Sequence, residues 1–306
     1  IASLTFAITY SRLPVLRRTT TLKNQRGTVD RGPAETLLLD ERGGEVAFVE
    51  LQGFLFFGSV EKLVQAFRAF TDMNSEVRTI ILDFKAVSGF DSASIEALRK
   101  LEFMASGSGK AVVLTGLDQS AVDSIIKGGL LLECGAMSFC VDADAALEQA
   151  EQAILASLPD GGEGALEALA AAGASAEIVE RLLAKMTRRW MAKDDRLIKA
   201  GDAAQDIYLI ESGRLAVLAP MPDGTRTRVR SLRSGAFVGE IASYAGLKRT
   251  ADVVAEEPSV VFAVSPRDIE ALTQTDPELA AIWHNMIAST LADKIDSTIR
   301  LLRDRA

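Results

Sequence analysis

The hydrophobic pattern of this chain changes at the segment PDGGEG, residues 159–164, and this change constrains what the chain can fold into. Before it, apolar runs of strand length alternate with segments whose apolar residues recur at helical spacing. After it, short alternating runs are separated by turn residues about every ten positions. Clustered proline and glycine are typical of a linker. The pattern therefore predicts two domains, which 306 residues accommodate.

The first domain, which we place at residues 36–158, alternates predicted strands with predicted helices. We predict a hairpin of TLLLD and EVAFVEL around the turn ERGG, and further strands at VRTIILDF, KAVVLTGL and MSFCV. The predicted helices are SVEKLVQAFRAFTDM with Ser59 as N-cap, DSASIEALRKLEFMA with Asp91 or Ser92 as N-cap, QSAVDSIIKGG, and DADAALEQAEQAILASL. This order predicts an α/β domain with one sheet and helices packed on it.

The second domain, which we place at residues 176–306 after a linker at 159–175, opens with the helix EIVERLLAKM and continues in short strands. The predicted strands lie in RLIKAGD, DIYLIESG, RLAVLAP, DGTRTRVRSLRSG and ADVVAEEPSVVFAV. Their spacing predicts a mainly-β sandwich or jelly roll. A long amphipathic helix follows, with an apolar stripe at Leu279, Ile282, Met286, Leu291, Ile295, Ile299 and Leu302.

The charge of the chain is unevenly distributed. The total is −8, yet residues 1–35 carry six basic and two acidic side chains, so the remaining residues carry −12. A strongly acidic body argues against nucleic acid as the main partner. The ten residues IASLTFAITY carry no charge, and they are too few to span a bilayer, which takes about 20 apolar residues. They are either the last turns of a spanning helix followed by a basic juxtamembrane segment, or an ordinary N-terminal segment.

The chain is poor in cysteine and histidine. Cys134 and Cys140 are its two cysteines and His284 is its one histidine, which is too few for a structural zinc site. We expect the cysteines to be reduced, although a disulfide stays open, and we expect His284 on a helix surface. We find no set of nucleophile, base and orienting residue. The sequence therefore predicts no enzyme, no metal and no cofactor.

The stretch GEIASYAGLKRTADV, residues 239–253, combines groups that suit a nucleotide. Gly239 precedes a predicted short helix whose first N–H groups have no internal partner and attract anions. Arg249 supplies a planar, permanently charged donor suited to phosphate. Glu240 would repel a phosphate but would accept a hydrogen bond from a sugar hydroxyl. The alternative is an ion pair between Glu240 and Arg249 across a turn.

Two segments closely resemble the cyclic nucleotide-binding domain family: IKAGDAAQDIYLIESGRLAVL and SGAFVGEIASYAGLKRTADVVA. The resemblance implies that Glu240 binds the ribose 2′-hydroxyl, that Arg249 binds the cyclic phosphate, and that the terminal helix covers the base. The remaining ligand-binding positions that it implies are Gly239, Ile241, Ala242, Thr250 and Ala251. The expected ligand is cyclic AMP, with cyclic GMP left open by the Thr250 hydroxyl.

The second segment departs from the pattern of that family at two positions. Ser243 stands where leucine is usual, and Asp252 places a carboxylate close behind Thr250. If Asp252 faces the pocket, it weakens anion binding.

The first domain resembles the STAS domain of SulP-type anion transporters in ELQGFLFFGSVEKL and TIILDFKAVSGFDSASIEAL. The segment ITYSRLPVLRRTT resembles the exit from the last transmembrane helix of that family. This likeness implies a membrane partner through an upstream transporter domain and a location at the cytoplasmic face of the cell membrane. Ser92 occupies a position that is phosphorylated in related anti-sigma-factor antagonists; the alternative is that Ser92 caps the helix.

Together these observations predict the cytosolic regulatory region of a SulP-type sulfate or anion transporter. The second domain would sense a cyclic nucleotide and relay it through the STAS domain, and we expect a homodimer. The alternative is a soluble STAS and cyclic-nucleotide-fold scaffold that binds no nucleotide, which Asp252 favours. A transcription regulator would need a helix-turn-helix after the terminal helix, and the acidic charge disagrees with it.

Overall fold

The computed structural model describes residues 15–73, 76–130, 136–156, 169–170 and 174–303. The chain divides into two compact units. The α/β unit comprises Ile1–Gly27 and Leu39–Leu155, and the β-roll unit comprises Thr28–Leu38 and Ala156–Ala306. A short segment of the β-roll unit is therefore inserted, along the chain, between two parts of the α/β unit.

The α/β unit contains a five-stranded sheet. Its strands are β1 (Leu16–Thr21), β3 (Val46–Leu55), β4 (Thr79–Phe90), β5 (Ala111–Thr115) and β6 (Met137–Cys140), adjacent in that order. Strands β3 to β6 are parallel, and β1 runs antiparallel to β3. The helices are Phe57–Met73, Ser92–Gly107, Gln119–Lys127 and Ala143–Leu155. Parallel neighbours need crossover connections, which these helices provide.

The core of the α/β unit explains the apolar runs of its strands. Ile80 and Leu82 of β4 are buried in the main core together with Val112 of β5, and their neighbours Ile81 and Val113, which point to the opposite face, are buried as well. Strands of a parallel sheet are covered on both faces, so their sequences are continuously apolar rather than alternating.

The predicted hairpin around ERGG is wrong, because TLLLD lies in the helix Pro33–Arg42. Proline is favoured in the first turn of a helix and leucine is a strong helix former. Leu39 is fully buried whereas Leu37 is exposed, as expected for a one-sided helix. The antiparallel neighbour of β3 is instead β1, which comes from the predicted basic leading segment.

The N-caps of two helices also test the sequence analysis. Ser59 is not an N-cap, because the helix begins at Phe57 and the buried Ser59 hydroxyl accepts a hydrogen bond from Phe56 N. Asp91 caps the helix Ser92–Gly107 by accepting from Ser94 N at 3.0 Å. The cap interpretation of Ser92 is therefore wrong, and Ser92 lies exposed at the first helical position.

The β-roll unit contains two antiparallel sheets with one parallel strand added at an edge. The strands are β2 (Val29–Asp30), β7 (Thr187–Met191), β8 (Arg196–Ile198), β9 (Ile207–Ser212), β10 (Arg214–Pro220), β11 (Arg226–Arg233), β12 (Phe237–Val238), β13 (Asp252–Ala255) and β14 (Ser259–Val264). One sheet has the order β2-β11-β10-β13-β8 and the other β12-β9-β14-β7. The helices are Ala176–Leu183, the cassette helix Glu240–Ala245, Pro266–Thr275 and the terminal helix Pro277–Arg303.

Strand β2 was not predicted. It pairs in parallel with β11, where Val29 is opposite Ser231 and Asp30 is opposite Leu232. Ser231 N donates to Thr28 O at 2.9 Å. Two residues are too few to show a strand periodicity in the sequence. The pairing depends on the backbone N–H and C=O groups at the edge of β11.

No helix in the described ranges is long and apolar enough to cross a membrane. The predicted end of a spanning helix falls in residues 1–14, outside the described residues. Arg17 and Arg18, which we assigned to the basic juxtamembrane segment, lie in β1, and each places a guanidinium nitrogen 3.9 Å from a carboxylate oxygen of Glu50.

Candidate functional site

A pocket of about 210 Å³ opens in the β-roll unit. Its wall contains all seven of the predicted ligand-binding positions: Gly239, Glu240, Ile241, Ala242, Arg249, Thr250 and Ala251. Glu240, Ala242 and Arg249 are buried, whereas Ile241 and Thr250 are exposed. The structure therefore brings the predicted residues together in one place, on the cassette helix and on the segment that leads into β13.

Gly239 begins the cassette helix in a conformation that favours glycine. Its φ is 89° and its ψ is −3°, in the left-handed region. A Cβ at this position would lie 2.6 Å from Arg249 Nη1 and 3.1 Å from Asp206 O. Both the backbone conformation and the space beside Arg249 therefore require glycine here.

Arg249 is 6% exposed, and its guanidinium is oriented by backbone carbonyls. Nη1 donates to Gly239 O at 2.7 Å and Nη2 donates to Asp206 O at 2.5 Å. Burial lowers the pKa of Arg249, although the nearby Tyr208, Asp206 and Glu240 act to raise it. A guanidinium has five N–H donors, so two such bonds fix its orientation without using its whole capacity.

The ion pair between Glu240 and Arg249, which the sequence left open, is not formed in the described part of the chain. Glu240 Oε1 instead accepts from Lys294 Nζ of the terminal helix at 2.8 Å. Lys294 also donates to Phe237 O at 2.9 Å and lies 3.3 Å from Asp30 Oδ2. Arg230 of β11 forms a further ion pair with Asp30.

Sequence reasoning missed Lys294, Asp30 and Arg230, which all line the pocket. Lys294 had one signal: it lies three residues after Leu291, on the apolar side of the terminal helix. Asp30 had none, because it lies about 200 residues before the rest of the site.

Asp252 does not face the pocket. Its buried carboxylate accepts from Ala200 N at 2.8 Å and pairs with Arg226 at 2.5 Å. Ala251 and Val253 line the pocket instead, as expected from the alternation of side chains along a strand. The feature that favoured an empty pocket therefore lies on the other side of the strand. Ser243 is half-buried in the cassette helix.

Aromatic side chains of the terminal helix contact β12 and the cassette helix. Trp283 packs edge-on against Phe237 with ring centroids 5.6 Å apart. His284 is exposed on the helix surface, as predicted, and its Nδ1 lies 2.8 Å from the Tyr244 hydroxyl. These contacts join the helix to both β12 and the cassette helix.

The predicted apolar stripe of the terminal helix is covered at its beginning only. Leu279 and Met286 are buried, and Ile282 and Leu291 pack partly buried against the same core. Ile295 and Ile299 are exposed in the chain by itself. The side chain of Leu302 lies outside the described residues.

The structure places Cys140, one of the two cysteines, at a half-buried position. Within the described residues, no group of three or more histidine, cysteine or acidic side chains is placed to hold a metal ion. Cys140 is a free thiol whose pKa is raised by burial and by Asp142. Cys134 lies outside the described residues.

Comparison with known families supports two separate domains. The profile of the cyclic nucleotide-binding domain matches residues 188–276. The profile of the STAS domain matches residues 39–134. Both are regulatory types of domain that are typically non-enzymatic. The predicted fold, an α/β STAS domain followed by a mainly-β jelly roll with flanking helices, is confirmed.

Known proteins resemble this chain over one or both domains. Glutaminase 2 of Bradyrhizobium diazoefficiens is 27% identical over 274 residues, which cover 87% of this chain and 42% of that protein. The human cyclic nucleotide-gated channel beta-1 is 26% identical over 141 residues, or 44% of this chain and 11% of the channel. A solved cyclic nucleotide-binding domain from Methylobacillus flagellatus is 23% identical, with a TM-score of 0.43, over 46% of this chain and 83% of that one. The chain spans less than half the length of these two curated relatives.

Proposed function

Since the chain contains a STAS domain and a cyclic nucleotide-binding domain, we propose that it is a regulatory region that senses cyclic AMP. Glu240 accepts a hydrogen bond from the ribose 2′-hydroxyl. Arg249 and the backbone amides of Gly239, Ile241 and Ala242 hold the cyclic phosphate. The positions Thr250 and Ala251 complete the wall of the pocket.

The observation that carries this proposal is the environment of Arg249. It is buried at the pocket wall, and within the described residues no carboxylate forms an ion pair with it. A buried charge that lacks an opposite charge is costly in free energy. The phosphate of a cyclic nucleotide would supply that opposite charge and would accept from the guanidinium in its natural bidentate geometry.

The base is the less determined part of the ligand. Thr250 is exposed at the pocket and offers a hydroxyl to the exocyclic amino group of guanine. Cyclic GMP is therefore a weaker second ligand in this proposal.

The first experiment is isothermal calorimetry with cyclic AMP and cyclic GMP on the wild type and on Arg249→Ala. Loss of the charged partner of a buried phosphate costs on the order of 2–5 kcal/mol, so affinity should fall by at least about thirtyfold. The matched control is Arg188→Ala, because Arg188 is exposed and pairs with Glu211 outside the pocket. Equal affinity of Arg249→Ala and wild type would remove the phosphate assignment.

The proposed mechanism of signalling is linkage between nucleotide and the position of the terminal helix. A nucleotide that binds one arrangement better than another shifts the equilibrium by its difference in affinity. The STAS domain would relay this shift to a SulP-type anion transporter at the cytoplasmic face of the membrane. The resemblance of the first domain to STAS domains of such transporters supports this target.

A second target is an enzyme domain of the glutaminase type. It is favoured by the alignment with Glutaminase 2, which extends over 87% of this chain and so includes both units. The two targets are separated by measuring glutamine hydrolysis and anion uptake in the protein that carries this chain, each with and without cyclic AMP. The activity that responds to the nucleotide identifies the target.

Phosphorylation of Ser92 and homodimerisation remain predictions. Ser92 is exposed and is not the helix cap, which leaves its hydroxyl accessible to a kinase. The exposed Ile295 and Ile299 support a second copy packing on the terminal helix. Mass spectrometry of the native protein tests the first, and light scattering tests the second.

A further inference from the structure

Lys294 of the terminal helix lies at the Glu240 end of the pocket, where hydrogen bonds and ion pairs hold its ammonium. Nζ donates to Glu240 Oε1 at 2.8 Å and to Phe237 O at 2.9 Å, and Asp30 Oδ2 lies 3.3 Å away. The contact with Asp30 is an ion pair, since Asp30 Oδ2 accepts no hydrogen bond within the described residues. The ammonium of Lys294 is therefore charge-paired inside the pocket.

This contact covers the carboxylate that a ribose would need. The Glu240 side chain is 1% exposed although Glu240 forms part of the pocket wall. Resting on the function proposed above, we propose that Lys294 is an internal competitor of the nucleotide. Its ammonium holds Glu240 until the ribose 2′-hydroxyl takes its place. Lys294 and Asp30 both lie outside residues 188–276, which match the domain family.

The charges at this end of the pocket explain why the exchange is reversible. Asp30 keeps an ion pair with Arg230 when Lys294 moves away. Within the described residues, the ion-pair partner of Glu240 is Lys294. An unpaired buried carboxylate is costly, so Lys294 returns to Glu240 when the nucleotide leaves.

Asp30 gives this exchange a path toward the STAS domain. It lies in β2, in the segment Thr28–Leu38 that belongs to the β-roll unit. The same segment is joined along the chain to Gly27 and to Leu39 of the α/β unit. Movement of Lys294 changes the electrostatic environment of Asp30, and thereby the stability of the short strand that lies, along the chain, between the two parts of the α/β unit.

The test compares cyclic AMP with 2′-deoxy cyclic AMP by calorimetry, on the wild type and on Lys294→Met. Methionine keeps the length of the side chain and removes the ammonium. Because a charged hydrogen bond no longer has to be broken, the affinity for cyclic AMP should rise about tenfold. The 2′-deoxy nucleotide lacks the hydroxyl that competes for Glu240, so its affinity should change by less than about twofold.

The matched control is Lys193→Met, since Lys193 is an exposed lysine of the β-roll unit outside the pocket. A cooperative thermal unfolding transition is the control that each variant is folded. Weaker or unchanged cyclic AMP binding by Lys294→Met would overturn the proposal, and so would an equal gain for both nucleotides. If such a result is found while cyclic AMP binding by the wild type still depends on Arg249, the role of Lys294 as a competitor is refuted and the proposed function stands. If neither the wild type nor Lys294→Met binds any cyclic nucleotide, the proposed function itself fails, and the competitor fails with it.

Hydrogen exchange tests the involvement of β2. Cyclic AMP should change the exchange of Val29, Asp30 and Ser231 amides in the wild type. In Lys294→Met without nucleotide, these amides should already exchange as they do in the liganded wild type. Exchange at these amides that is the same in all three samples would show that β2 does not respond to Lys294.

Discussion

Alanine substitution at two glycines of the cassette helix separates the conformation of the backbone from the geometry of the site. Gly239 and Gly246 flank the same six-residue helix, and both have positive φ, at 89° and 66°. A Cβ at Gly246 meets nothing within 4 Å. A Cβ at Gly239 would lie 2.6 Å from Arg249 Nη1. The two substitutions therefore share a conformational cost and differ in their effect on one guanidinium.

The magnitudes follow from this difference. A left-handed conformation costs a residue with Cβ about 1–2 kcal/mol, so both variants should lose comparable stability. The Gly239→Ala variant also displaces the end of a flexible side chain, which breaks the 2.7 Å bond from Arg249 to Gly239 O. A hydrogen bond of a charged group contributes about 1.5–3 kcal/mol. We therefore expect the affinity for cyclic AMP to fall at least about tenfold in Gly239→Ala, and by less than about threefold in Gly246→Ala.

The assays are thermal unfolding without ligand and calorimetry with cyclic AMP. Similar unfolding temperatures with very different affinities would support the assignment of Arg249 as the phosphate ligand. Equal losses of affinity in the two variants would show that the cassette responds to backbone strain alone. Wild-type affinity of Gly239→Ala would refute the close approach of Gly239 to Arg249 as a requirement for binding.

Three further predictions concern selectivity, motion and pH. Thr250→Ala should weaken cyclic GMP binding more than cyclic AMP binding in calorimetry, and equal losses would remove Thr250 from base selection. Hydrogen exchange in residues 282–299 should slow at saturating cyclic AMP, and unchanged exchange would make the terminal helix a static element. Burial raises the pKa of Asp83, so this carboxyl lowers stability as pH rises from its unfolded pKa of about 3.9 through the higher folded pKa. In Asp83→Asn, which keeps an acceptor for Lys85 N, unfolding temperatures should therefore fall less across that range, and parallel pH profiles of the two proteins would contradict this.

Much of the fold was predictable from local pattern. Apolar runs predicted strands β3 to β6, and the change at residues 159–164 predicted the second, mainly-β domain. That the candidate residues lie together was predictable for the same reason: Gly239, Glu240 and Arg249 lie within eleven consecutive residues, and their types and spacing predict a phosphate-binding turn. The mistaken strand at TLLLD shows the limit, because a short apolar run fits a strand and a helix equally well.

What the tertiary structure alone decided is which distant groups surround this local turn. The sequence by itself predicted that an arginine and a glutamate lie beside a helix that begins after a glycine. Only the folded chain showed that Lys294 forms an ion pair with Glu240. It also showed that Asp30, from the segment Thr28–Leu38, lines the same pocket. Contacts of this kind depend on how sheet edges and a long helix pack, and a two-residue strand or a single lysine leaves no periodic trace in the sequence.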